Sequence, residues 1–501
     1  MNSLSNLKLV LAGPGAGKTH DMVERIASQL ERLEPHRFLA VITYTQAATE
    51  EIRNRLNSKC NIPPNVFIGT IHSFLNRFIF TPFGSILGIV PFEKTFIESV
   101  VLSYTPKISY MGPHLKNKIA ERLLPDGLVT YDKIIEKSQD LISKDRILKV
   151  VANRIQMLFI DEYQDATQVQ HKIFNTLLKF GKTQLYCVGD PEQYIMGFTY
   201  RLRGEKTPDY KTIPIMDFKS VTPPEYNKLN KRSTPKIVNF VNRFNSNSSQ
   251  ESDRKHEIDL DVHFISDVQL SNILNKFEEL CINLRVHEVT SPTKRRKLAL
   301  SYENNTLDPL NQTRDTTFIS NDELNPRGLL KETVRYVCSV VGLTQRKLCE
   351  TKNITLIDLR KYALQIFKKI KNDLTINDHT LRNIIAGQLN ISENSKTNTD
   401  DTFKKLRRYI RSSHEVKNQC STIHKAKGLE AQAVLVVASK GSELRKWLET
   451  DAIERSNDKL DQCRIGYVAF SRAGDFLCLA CLEPIDASMR KMLSDFNVVV
   501  V

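Results

Sequence analysis

The stretch Leu7-Lys8-Leu9-Val10-Leu11-Ala12-Gly13-Pro14-Gly15-Ala16-Gly17-Lys18-Thr19 decides the fold of the amino-terminal part of this chain. Residues 7–11 form an apolar run suited to a buried strand, and residues 12–17 are small and rich in glycine. A strand, a small-residue loop and a helix in this order form a phosphate-binding loop, in which backbone N–H groups and the helix start surround phosphate groups. The sequence therefore predicts a nucleoside triphosphate site.

The residue types of this loop suit separate tasks. Lys18 supplies a point charge for the β- and γ-phosphates, and Thr19 offers a hydroxyl to Mg²⁺. The general pattern has glycine at the position of Ala12. The loop alone indicates only triphosphate binding, which metabolic kinases share. The predicted nucleotide-binding residues are Ala12, Gly13, Pro14, Gly15, Ala16, Gly17, Lys18, Thr19 and His20.

A second apolar run, in Leu158-Phe159-Ile160-Asp161-Glu162-Tyr163-Gln164-Asp165, ends in adjacent carboxylates. Asp161 at a strand tip suits Mg²⁺ binding, and Glu162 suits a base that orients and polarises an attacking water. The alternative is an exposed acidic pair at a strand end with no catalytic role. Together with the phosphate loop, the pair favours triphosphate hydrolysis.

Short apolar runs alternate with helical patterns along the chain, which is typical of parallel sheets covered by helices. They fall into one group before residue 200 and another after residue 430. We therefore predict an α/β fold with two parallel-sheet cores, each interrupted by inserted material. The predicted segments are a first core at 1–75 plus 153–225, a small helical insertion at 76–152, a second core at 226–325 plus 412–501, and a helical segment at 326–411.

The composition restricts the class of protein and its partner. The 501 residues carry a formal net charge of +15, which favours a polyanionic partner such as nucleic acid. No apolar run approaches the roughly 20 residues that a membrane-spanning helix needs. The first residues do not form a secretory signal, so we expect a cytoplasmic protein without a membrane partner. The nine cysteines do not suggest a disulfide framework, and we expect Cys478 and Cys481 to lie in a buried strand.

Six further segments follow the phosphate loop in a recognisable order. With the phosphate loop and the acidic strand tip, they resemble the motif series of the UvrD/Rep-type superfamily 1 DNA helicases. The resemblance extends from residue 7 to about residue 482. The segments are Thr43–Ala48, Gly69–Phe74, Val188–Ile195, Leu229–Ser233, Thr422–Glu430 and Tyr467–Ala473.

The resemblance implies two RecA-like P-loop cores that hydrolyse ATP with Mg²⁺. By this resemblance Gln193 contacts the γ-phosphate, while Arg232 and Arg472 serve as arginine fingers. Arginines delivered from a second core would make closure of the cleft depend on the nucleotide. Gly428 and Glu430 join the nucleotide-binding set. The implied catalytic residues are Lys18, Asp161, Glu162, Gln193, Arg232 and Arg472, with Thr19 and Asp161 at the metal.

The family also implies contacts to DNA, made in part by aromatic rings that stack on bases. Tyr44 and Phe198 occupy such positions, and the alternative for Phe198 is a role in the core. His72 and His424, taken alone, would more often be structural histidines. Met196 stands where a stacking tyrosine is usual, and Thr199 where an arginine is usual. The implied DNA-binding residues are Tyr44, Thr45, His72, Phe198 and His424.

Two departures from the family pattern bear on function. No glutamine precedes the first strand to read the base, and Lys231 replaces the aromatic residue that usually stacks on it. We therefore expect weaker discrimination between ATP and other triphosphates. The interval from Arg232 to Thr422 must also hold part of the second core, so we expect the large mobile insertion of the family to be reduced or absent.

The leading hypothesis is an ATP-dependent translocase or helicase on single-stranded or forked DNA, with the 3′ to 5′ polarity that the family implies. In length the chain is most similar to the compact helicase-like subunit of the Gabija anti-phage system, which works beside an overcoming-lysogenization-defect (OLD) type nuclease. This likeness suggests a second hypothesis, a DNA-activated ATPase subunit that switches a partner nuclease. A metabolic kinase would leave Gln193 and Arg472 unexplained. No nuclease cluster of carboxylates stands out beyond the nucleotide site.

Overall fold

The computed structural model describes the chain in two compact units. The larger unit comprises residues Met1–Glu288, Lys427–Leu429 and Val436–Val501, and the smaller comprises Val289–Ala426 and Glu430–Leu435. Within them, the described residues are 3–86, 88–89, 98–100, 113–197, 200, 209–254, 259–286, 295–303, 305–307, 318–320, 326–373, 376–390, 403 and 418–501.

The strands are short and bounded by turns or helices. In chain order they are β1 Leu7–Ala12, β2 Phe38–Thr43, β3 Val66–Thr70, β4 Glu98–Val100, β5 Leu128–Thr130, β6 Ile155–Ile160, β7 Gln184–Gly189, β8 Glu225–Asn227, β9 Leu229–Asn230, β10 Glu251–Ser252, β11 His263–Ser266, β12 Arg295–Ser301, β13 Phe318–Ser320, β14 Asn418–Thr422, β15 Ala431–Ala438, β16 Ala473–Cys481 and β17 Val499–Val500.

The helices cover the sheets and build the inserted segments, and a π-helical turn lies at Asn76–Phe80. In chain order the α-helices are α1 Lys18–Gln29, α2 Gln46–Asn57, α3 Ile71–Leu75, α4 Thr81–Phe83, α5 Pro113–Leu123, α6 Tyr131–Ile142, α7 Asp145–Arg154, α8 Gln168–Lys179, α9 Pro214–Val221, α10 Pro235–Asn242, α11 Leu270–Asn283, α12 Pro326–Val341, α13 Gln345–Lys352, α14 Leu356–Asn372, α15 Asp378–Leu389, α16 Gly441–Trp447, α17 Ala452–Asn457, α18 Gln462–Phe470 and α19 Ala487–Asp495.

The first core is a six-stranded parallel sheet in the order β3-β2-β6-β7-β1-β8. The strands β1, β6 and β7 lie side by side, with Leu9 opposite Cys187 and Phe159 opposite Tyr186. The carboxyl ends of parallel strands meet at one edge, so the segments that follow these three strands are brought together there. The edge of the sheet thus collects the phosphate loop, the acidic pair and the segment that begins at Asp190.

Apolar clusters cover both faces of this sheet. Leu9 and Leu11 belong to a cluster on one face, and Val10 and Ala12 belong to a cluster on the other, where α1 packs through residues such as Met22. This alternation follows from the two-residue period of a strand. A strand buried on both faces reads as a continuous apolar run, which is the pattern of residues 7–11.

The second core also consists of parallel strands. Within the larger unit, β11 pairs with β16 and with β17. Within the smaller unit, β14 pairs with β12 and with β13. The predicted α/β fold with two parallel-sheet cores is confirmed, whereas the segment boundaries predicted from the sequence stay predictions.

The smaller unit also contains a helical cluster, which we define as α12 to α15. These helices bury a common set of apolar side chains that includes Val337, Leu359 and Ile366. Thr355 begins α14 with a capping box, in which its hydroxyl and the Asp358 carboxylate each accept a hydrogen bond from the other's backbone N–H.

Two further predictions can be compared with the structure. Cys478 and Cys481 are fully buried in β16 as predicted, and all nine cysteines are free thiols. Among the described residues, no helix is both long enough and apolar enough to cross a membrane.

Candidate nucleotide site and its supporting network

The phosphate loop connects β1 to α1 through two glycines in left-handed conformations. Gly15 has a φ of +72° and Gly17 a φ of +75°, values that a residue with a Cβ rarely adopts. Gly17 is the N-cap of α1, so the unpaired N–H groups of the first helical turn face the loop. Lys18 and Thr19 are the first two residues of α1, followed by an exposed His20 whose imidazole is 3.5 Å from Glu24. The predicted strand-loop-helix unit is present.

The acidic end of β6 lies beside this loop. The ammonium of Lys18 is 3.8 Å from Glu162 Oε1, and the backbone N–H of Glu162 donates to Asp161 Oδ1 at 2.9 Å. Glu162 has a φ of +50°, a strained value for a residue with a side chain. Strain of this kind clusters at functional sites because the surrounding structure must hold it. Here the turn brings Glu162 towards Lys18.

The pKa values of the two carboxyl groups move in opposite directions. Burial raises the pKa of Asp161 to about 7, and the charge of Glu162 adds to the rise. Burial also acts to raise the pKa of Glu162, but Lys18 and Lys427 outweigh it and lower that pKa to about 2. A buried acidic pair of this kind fits a divalent cation, which would favour the ionised form of Asp161.

The donor set suits Mg²⁺, a cation that takes one or two protein oxygens and completes its shell with water and phosphate. Asp161 and Thr19 are the predicted ligands. Among the described residues, no group of three or more His, Cys, Asp or Glu side chains forms a metal site by itself. The two predicted ligands would leave positions around the cation for phosphate oxygens and water.

Gln164 connects the acidic turn after β6, which contains Asp161 and Glu162, to the end of β7. Its Nε2 donates a short hydrogen bond to Glu162 Oε2, and its Oε1 accepts one from the Asp190 N–H at 3.0 Å. A Cβ on Gly189 would lie 2.2 Å from that oxygen, so only glycine fits there. The orientation of Glu162 thus depends on the neighbouring strand.

The predicted γ-phosphate contact Gln193 is held by residues from distant parts of the larger unit. Its Nε2 donates to Asp190 Oδ2 at 2.9 Å, and its Oε1 accepts from Arg472 Nη2 at 2.9 Å. Tyr467 donates to the same Asp190 oxygen at 2.9 Å. Arg472 is only 2% exposed, and its Nε donates to the Val468 carbonyl. The structure therefore brings Gln193 and Arg472 into direct contact.

The segment that carries Arg232 lies over the phosphate loop. Lys231 N–H donates to the Gly15 carbonyl at 2.8 Å, and Asn230 Nδ2 donates to the Pro14 carbonyl at 3.0 Å. Arg232 donates through Nη1 to the Ser471 carbonyl at 2.9 Å. Both predicted arginine fingers thus lie in the same part of the larger unit, next to the loop and to Gln193.

The motif at Thr422–Glu430 reaches the site through Lys427. Its ammonium donates to both carboxylate oxygens of Asp165, one of them at 2.7 Å, and to the Gln193 carbonyl at 2.9 Å. Burial raises the pKa of Asp165 to about 6, although Lys427 acts against the rise. Gly428 has a φ of +87°, and no described atom lies within 4 Å of where its Cβ would be. Glu430, which belongs to the smaller unit, is half-buried there.

A second buried network centres on Glu192, next to Gln193 in the chain. This carboxylate is 1% exposed and accepts hydrogen bonds from Arg455 at 2.7 Å, Tyr210 at 3.2 Å, Ser246 and Asn247. Burial acts to raise its pKa, but Arg455 and the other donors lower it overall. A buried carboxylate that accepts this many hydrogen bonds holds together the elements that supply the donors.

Arg464 extends this network towards the segment that ends at Gly197. It is 1% exposed and donates to the Tyr194 carbonyl at 3.1 Å and to Asp461 Oδ1. Asp461 Oδ2 in turn accepts a hydrogen bond from the Gly197 N–H at 2.6 Å. A Cβ on Gly197 would lie 2.4 Å from that oxygen, so this position also needs glycine. The segment from Glu192 to Gly197 is therefore fixed at several points.

The predicted DNA-binding residues have mixed surroundings. Tyr44 packs against the first core, and no described atom pairs with its buried hydroxyl. Thr45 caps α2 by accepting from the Ala48 N–H, so it has a structural task as well. The half-buried His72 contacts the ring of Tyr131, with centroids 4.6 Å apart.

The remaining two lie elsewhere. Phe198 and Thr199 fall outside the described residues. His424 belongs to the smaller unit, where its ring contacts Tyr302 with centroids 5.6 Å apart. The assignment of all five residues to DNA stays a prediction.

Sequence reasoning missed several residues that organise the site. Gln164, Lys427 and Tyr467 stand inside motifs that the sequence had revealed, so their position was a usable signal. Gln250 and Arg455 lie outside every motif, and nothing in their local sequence indicated a role. They are close to the site only because the chain returns to it from distant positions.

The chain is similar in sequence to known proteins. A protein family described as an AAA domain matches residues 1–199. The Gabija protein GajB of Bacillus cereus is 26% identical over 470 residues, which is 86% of this chain and 87% of that protein. A probable DNA helicase II homolog of Mycoplasma genitalium is 22% identical, over 98% of this chain and 85% of that protein. DNA helicase II of Haemophilus influenzae is 27% identical over 48% of this chain, and the match covers only 38% of that protein.

Proposed function

Because this chain is a homologue of the UvrD/Rep-like superfamily 1 helicases, and thus an ATP-hydrolysing helicase enzyme, we propose that it moves along single-stranded DNA in the 3′ to 5′ direction. ATP would bind at the phosphate loop with Mg²⁺. The observation that carries this proposal is the bond from Arg472 to Gln193, with Arg232 beside the loop. A nucleotide can control domain closure when an arginine is bonded to a residue that contacts the terminal phosphate.

The residue roles follow from this arrangement. Lys18 and the two arginines would stabilise the charge that develops on the phosphates, and Glu162 would orient and polarise the attacking water. The low pKa of Glu162 keeps this carboxylate ionised at neutral pH, as a base must be. Mg²⁺, when bound, supplies further charge neutralisation next to Asp161.

Coupling to DNA would pass through the segment from Glu192 to Gly197. One end of it contains the sensor Gln193, and Phe198, the predicted stacking residue, follows its other end in the sequence. The bonds of this segment to Arg455 and Asp461 support a rigid connection. Hydrolysis would then change how Phe198 contacts the DNA bases, because a rigid segment connects Phe198 to Gln193.

The first experiment measures ATP hydrolysis with and without single-stranded DNA. Wild type is compared with Lys18→Ala and Arg472→Ala, and Arg490→Ala serves as an exposed control on α19. We expect DNA to stimulate the wild type and the control, and both site variants to lose at least 100-fold in rate, about what one transition-state contact contributes. Undiminished hydrolysis in both site variants would rule out the assigned site.

The second experiment tests direction and unwinding. Duplexes with a 3′ tail, a 5′ tail or no tail are mixed with the protein and ATP, and strand separation is followed by fluorescence. The proposal expects separation of the 3′-tailed duplex only. Preference for the 5′ tail would contradict the polarity.

A second candidate function is a DNA-activated ATPase subunit that switches a partner nuclease of the OLD type within an anti-phage complex. The observation that favours it is the likeness to GajB, which is 26% identical over 86% of this chain and 87% of that protein. Strong DNA-stimulated hydrolysis without strand separation by the isolated chain would support it. A gain of nuclease activity by a co-purified partner, lost with Lys18→Ala, would then identify the switch.

A further inference from the structure

Arg77 and Arg154 stack on the same aromatic side chains at one end of the first sheet. The guanidinium carbon of Arg77 lies 5.7 Å from the ring centre of Phe38 and 5.5 Å from that of Phe78. The guanidinium carbon of Arg154 lies 5.3 Å and 5.4 Å from the same two ring centres. Both arginines are exposed. We call Arg77 and Arg154 the arginine pair, because two shared rings hold their cationic groups close together.

Local structure places the arginine pair at the amino-terminal ends of the strands. Phe38 is the first residue of β2 and lies opposite Ile155, the first residue of β6. Arg154 ends α7 and directly precedes Ile155. Arg77 belongs to the π-helical turn Asn76–Phe80, a rare conformation that is frequent at functional sites. The phosphate loop follows the carboxyl end of β1, so the arginine pair lies at the opposite end of this parallel sheet.

Neither guanidinium of the arginine pair has an acceptor for its N–H groups. Within the part of the chain that the structure describes, no ion pair or side-chain hydrogen bond involves either of them. Glu34, a carboxylate near the start of β2, pairs instead with Arg37 at 3.3 Å and with His36 at 3.4 Å. Stacking uses the flat face of a guanidinium and leaves the N–H donors at its edge free. The arginine pair therefore presents two uncompensated cations to the solvent.

Other stacked arginines of this chain do have acceptors. Arg25 lies over the ring of Tyr186 at 5.4 Å and donates to Glu225 at 2.9 Å. Arg464 also lies over an aromatic ring, at 4.5 Å, and donates to Asp461. Two like charges that are held close together repel each other, and an anion bound by both removes this repulsion. The arginine pair thus lacks an anion of the kind that completes the same arrangement elsewhere in the fold.

We propose that the arginine pair is a binding site for phosphate groups of a DNA backbone. A planar guanidinium matches two phosphate oxygens with two parallel N–H groups. The formal net charge of +15 adds a long-range attraction for the same polyanion.

DNA is favoured over an acidic protein as the ligand because its charges repeat along the strand. Neighbouring phosphates of one strand can therefore engage two arginines that are held close together. The inference rests on the proposed function only in taking DNA as the polyanion. DNA bound here would contact the first core at a place separate from the nucleotide site.

The test measures the affinity of the full chain for labelled single-stranded DNA by fluorescence anisotropy, at several salt concentrations and without nucleotide. Arg77→Met combined with Arg154→Met removes both cations and keeps unbranched apolar side chains over the rings. Two lost phosphate contacts should weaken binding by about tenfold or more. They should also lower the slope of log affinity against log salt concentration by about 1.4.

Arg243→Met is the matched control for each single substitution. Arg243 is exposed and lies over the ring of Phe496 at 5.2 Å, but its guanidinium already donates to the Asp495 carbonyl at 3.1 Å. This variant removes the same charge as Arg77→Met or Arg154→Met and should bind DNA as the wild type does.

A second variant separates charge from the planar shape of the guanidinium. Arg77→Lys combined with Arg154→Lys keeps both charges and removes the parallel N–H groups. The salt dependence should stay that of the wild type, and the affinity should fall less than with the two methionine substitutions. This comparison also keeps the test decisive if the methionine variant does not fold.

Two results would overturn the inference. Equal DNA binding by the double methionine variant and by Arg243→Met would mean that the arginine pair only covers the rings. Displacement of DNA by polyglutamate as readily as by unlabelled DNA of equal charge would mean that the site does not select phosphate.

ATP hydrolysis without DNA is measured in parallel. It should stay that of the wild type in all these variants, because the arginine pair lies at the opposite end of the sheet from the phosphate loop. A wild type without hydrolysis would contradict the proposed function, while the anisotropy measurement would still decide the role of the arginine pair.

Discussion

The nucleotide site of the larger unit and the helical cluster of the smaller unit are stabilised by different means. The site buries charges such as Glu192, Arg464 and Asp461, and a hydrogen bond joins each of them to a distant segment of the chain. The helical cluster buries apolar side chains from neighbouring helices, such as Leu359 and Ile366. Buried charges depend on geometry and tolerate little change, whereas apolar contacts tolerate substitutions of similar volume.

Because of this difference, a bound nucleotide can change the structure at the site more readily than in the helical cluster. In the site, a shift of Gln193 alters contacts with both Asp190 and Arg472. Each of these hydrogen bonds joins one donor to one acceptor. A bound nucleotide can therefore break one bond and allow another to form. Apolar packing dominates the core of the helical cluster, so substitutions of its apolar side chains should change stability without changing the site.

The largest expected effect comes from breaking the buried pair of Arg464 and Asp461. Arg464→Met should leave Asp461 without its cation at 2% exposure and lower the free energy of unfolding by about 3–5 kcal/mol. Urea denaturation followed by circular dichroism measures the change. Arg464→Met combined with Asp461→Asn should recover part of the loss, and an unchanged midpoint for Arg464→Met would mean that the pair is not a stabilising link.

A smaller effect is expected at Gly197. Gly197→Ala would place a Cβ 2.4 Å from Asp461 Oδ2 and 3.0 Å from the Lys459 carbonyl, so the segment must shift at a cost of about 1–3 kcal/mol. Because Phe198 follows Gly197, DNA stimulation of hydrolysis should fall more than the DNA-independent rate. Equal loss of both rates would show that the segment serves the nucleotide alone.

A glycine-to-alanine substitution in the helical cluster should stabilise the protein, whereas Gly197→Ala should destabilise it. Gly387 lies within α15, and no described atom is within 4 Å of where its Cβ would be. Gly387→Ala should therefore raise the free energy of unfolding by about 0.5–1 kcal/mol through helix propensity. Hydrolysis rates should stay those of the wild type. Destabilisation measured in urea would contradict the open space at this position.

The smallest effect concerns pH and His171, which bonds to the Tyr163 hydroxyl at 2.8 Å and to Asp217 at 2.9 Å. Burial lowers the pKa of His171 below 6.5, and Asp217 offsets this only in part. The unfolded chain therefore takes up the proton first as the pH falls. The contribution of neutral His171 to the free energy of unfolding is fully present above pH 6.5, and it is lost as the pH falls through the folded-state pKa of His171.

Thermal melting at several pH values between about 7 and 5 measures this contribution. His171→Gln removes the titrating group, so its melting temperature should fall less steeply with acid than that of the wild type. Parallel curves for the two proteins would mean that His171 does not titrate in this range.

Much of the fold and part of the site could be predicted from the sequence. The apolar runs at residues 7–11 and 157–160 became β1 and β6, and the residues directly after them became the loop and the acidic turn. These signals are local, since a strand, a turn glycine or a strand-end carboxylate is encoded by its neighbours in the chain. The contact of Gln250 with Gly13 had no such signal, because the neighbourhood of Gln250 in the sequence resembles an ordinary polar loop.

The sequence by itself determined the two parallel-sheet cores, the phosphate loop with Lys18, and the presence of Arg232 and Arg472 in the motifs at Leu229–Ser233 and Tyr467–Ala473. Only the tertiary structure decided that Arg472 meets Gln193, that Glu192 is buried with Arg455, and that Gln250 lies on Gly13. The physical reason is distance along the chain. Local patterns follow from backbone and burial preferences, whereas pairs far apart in the chain form only when packed sheets bring their ends to one edge.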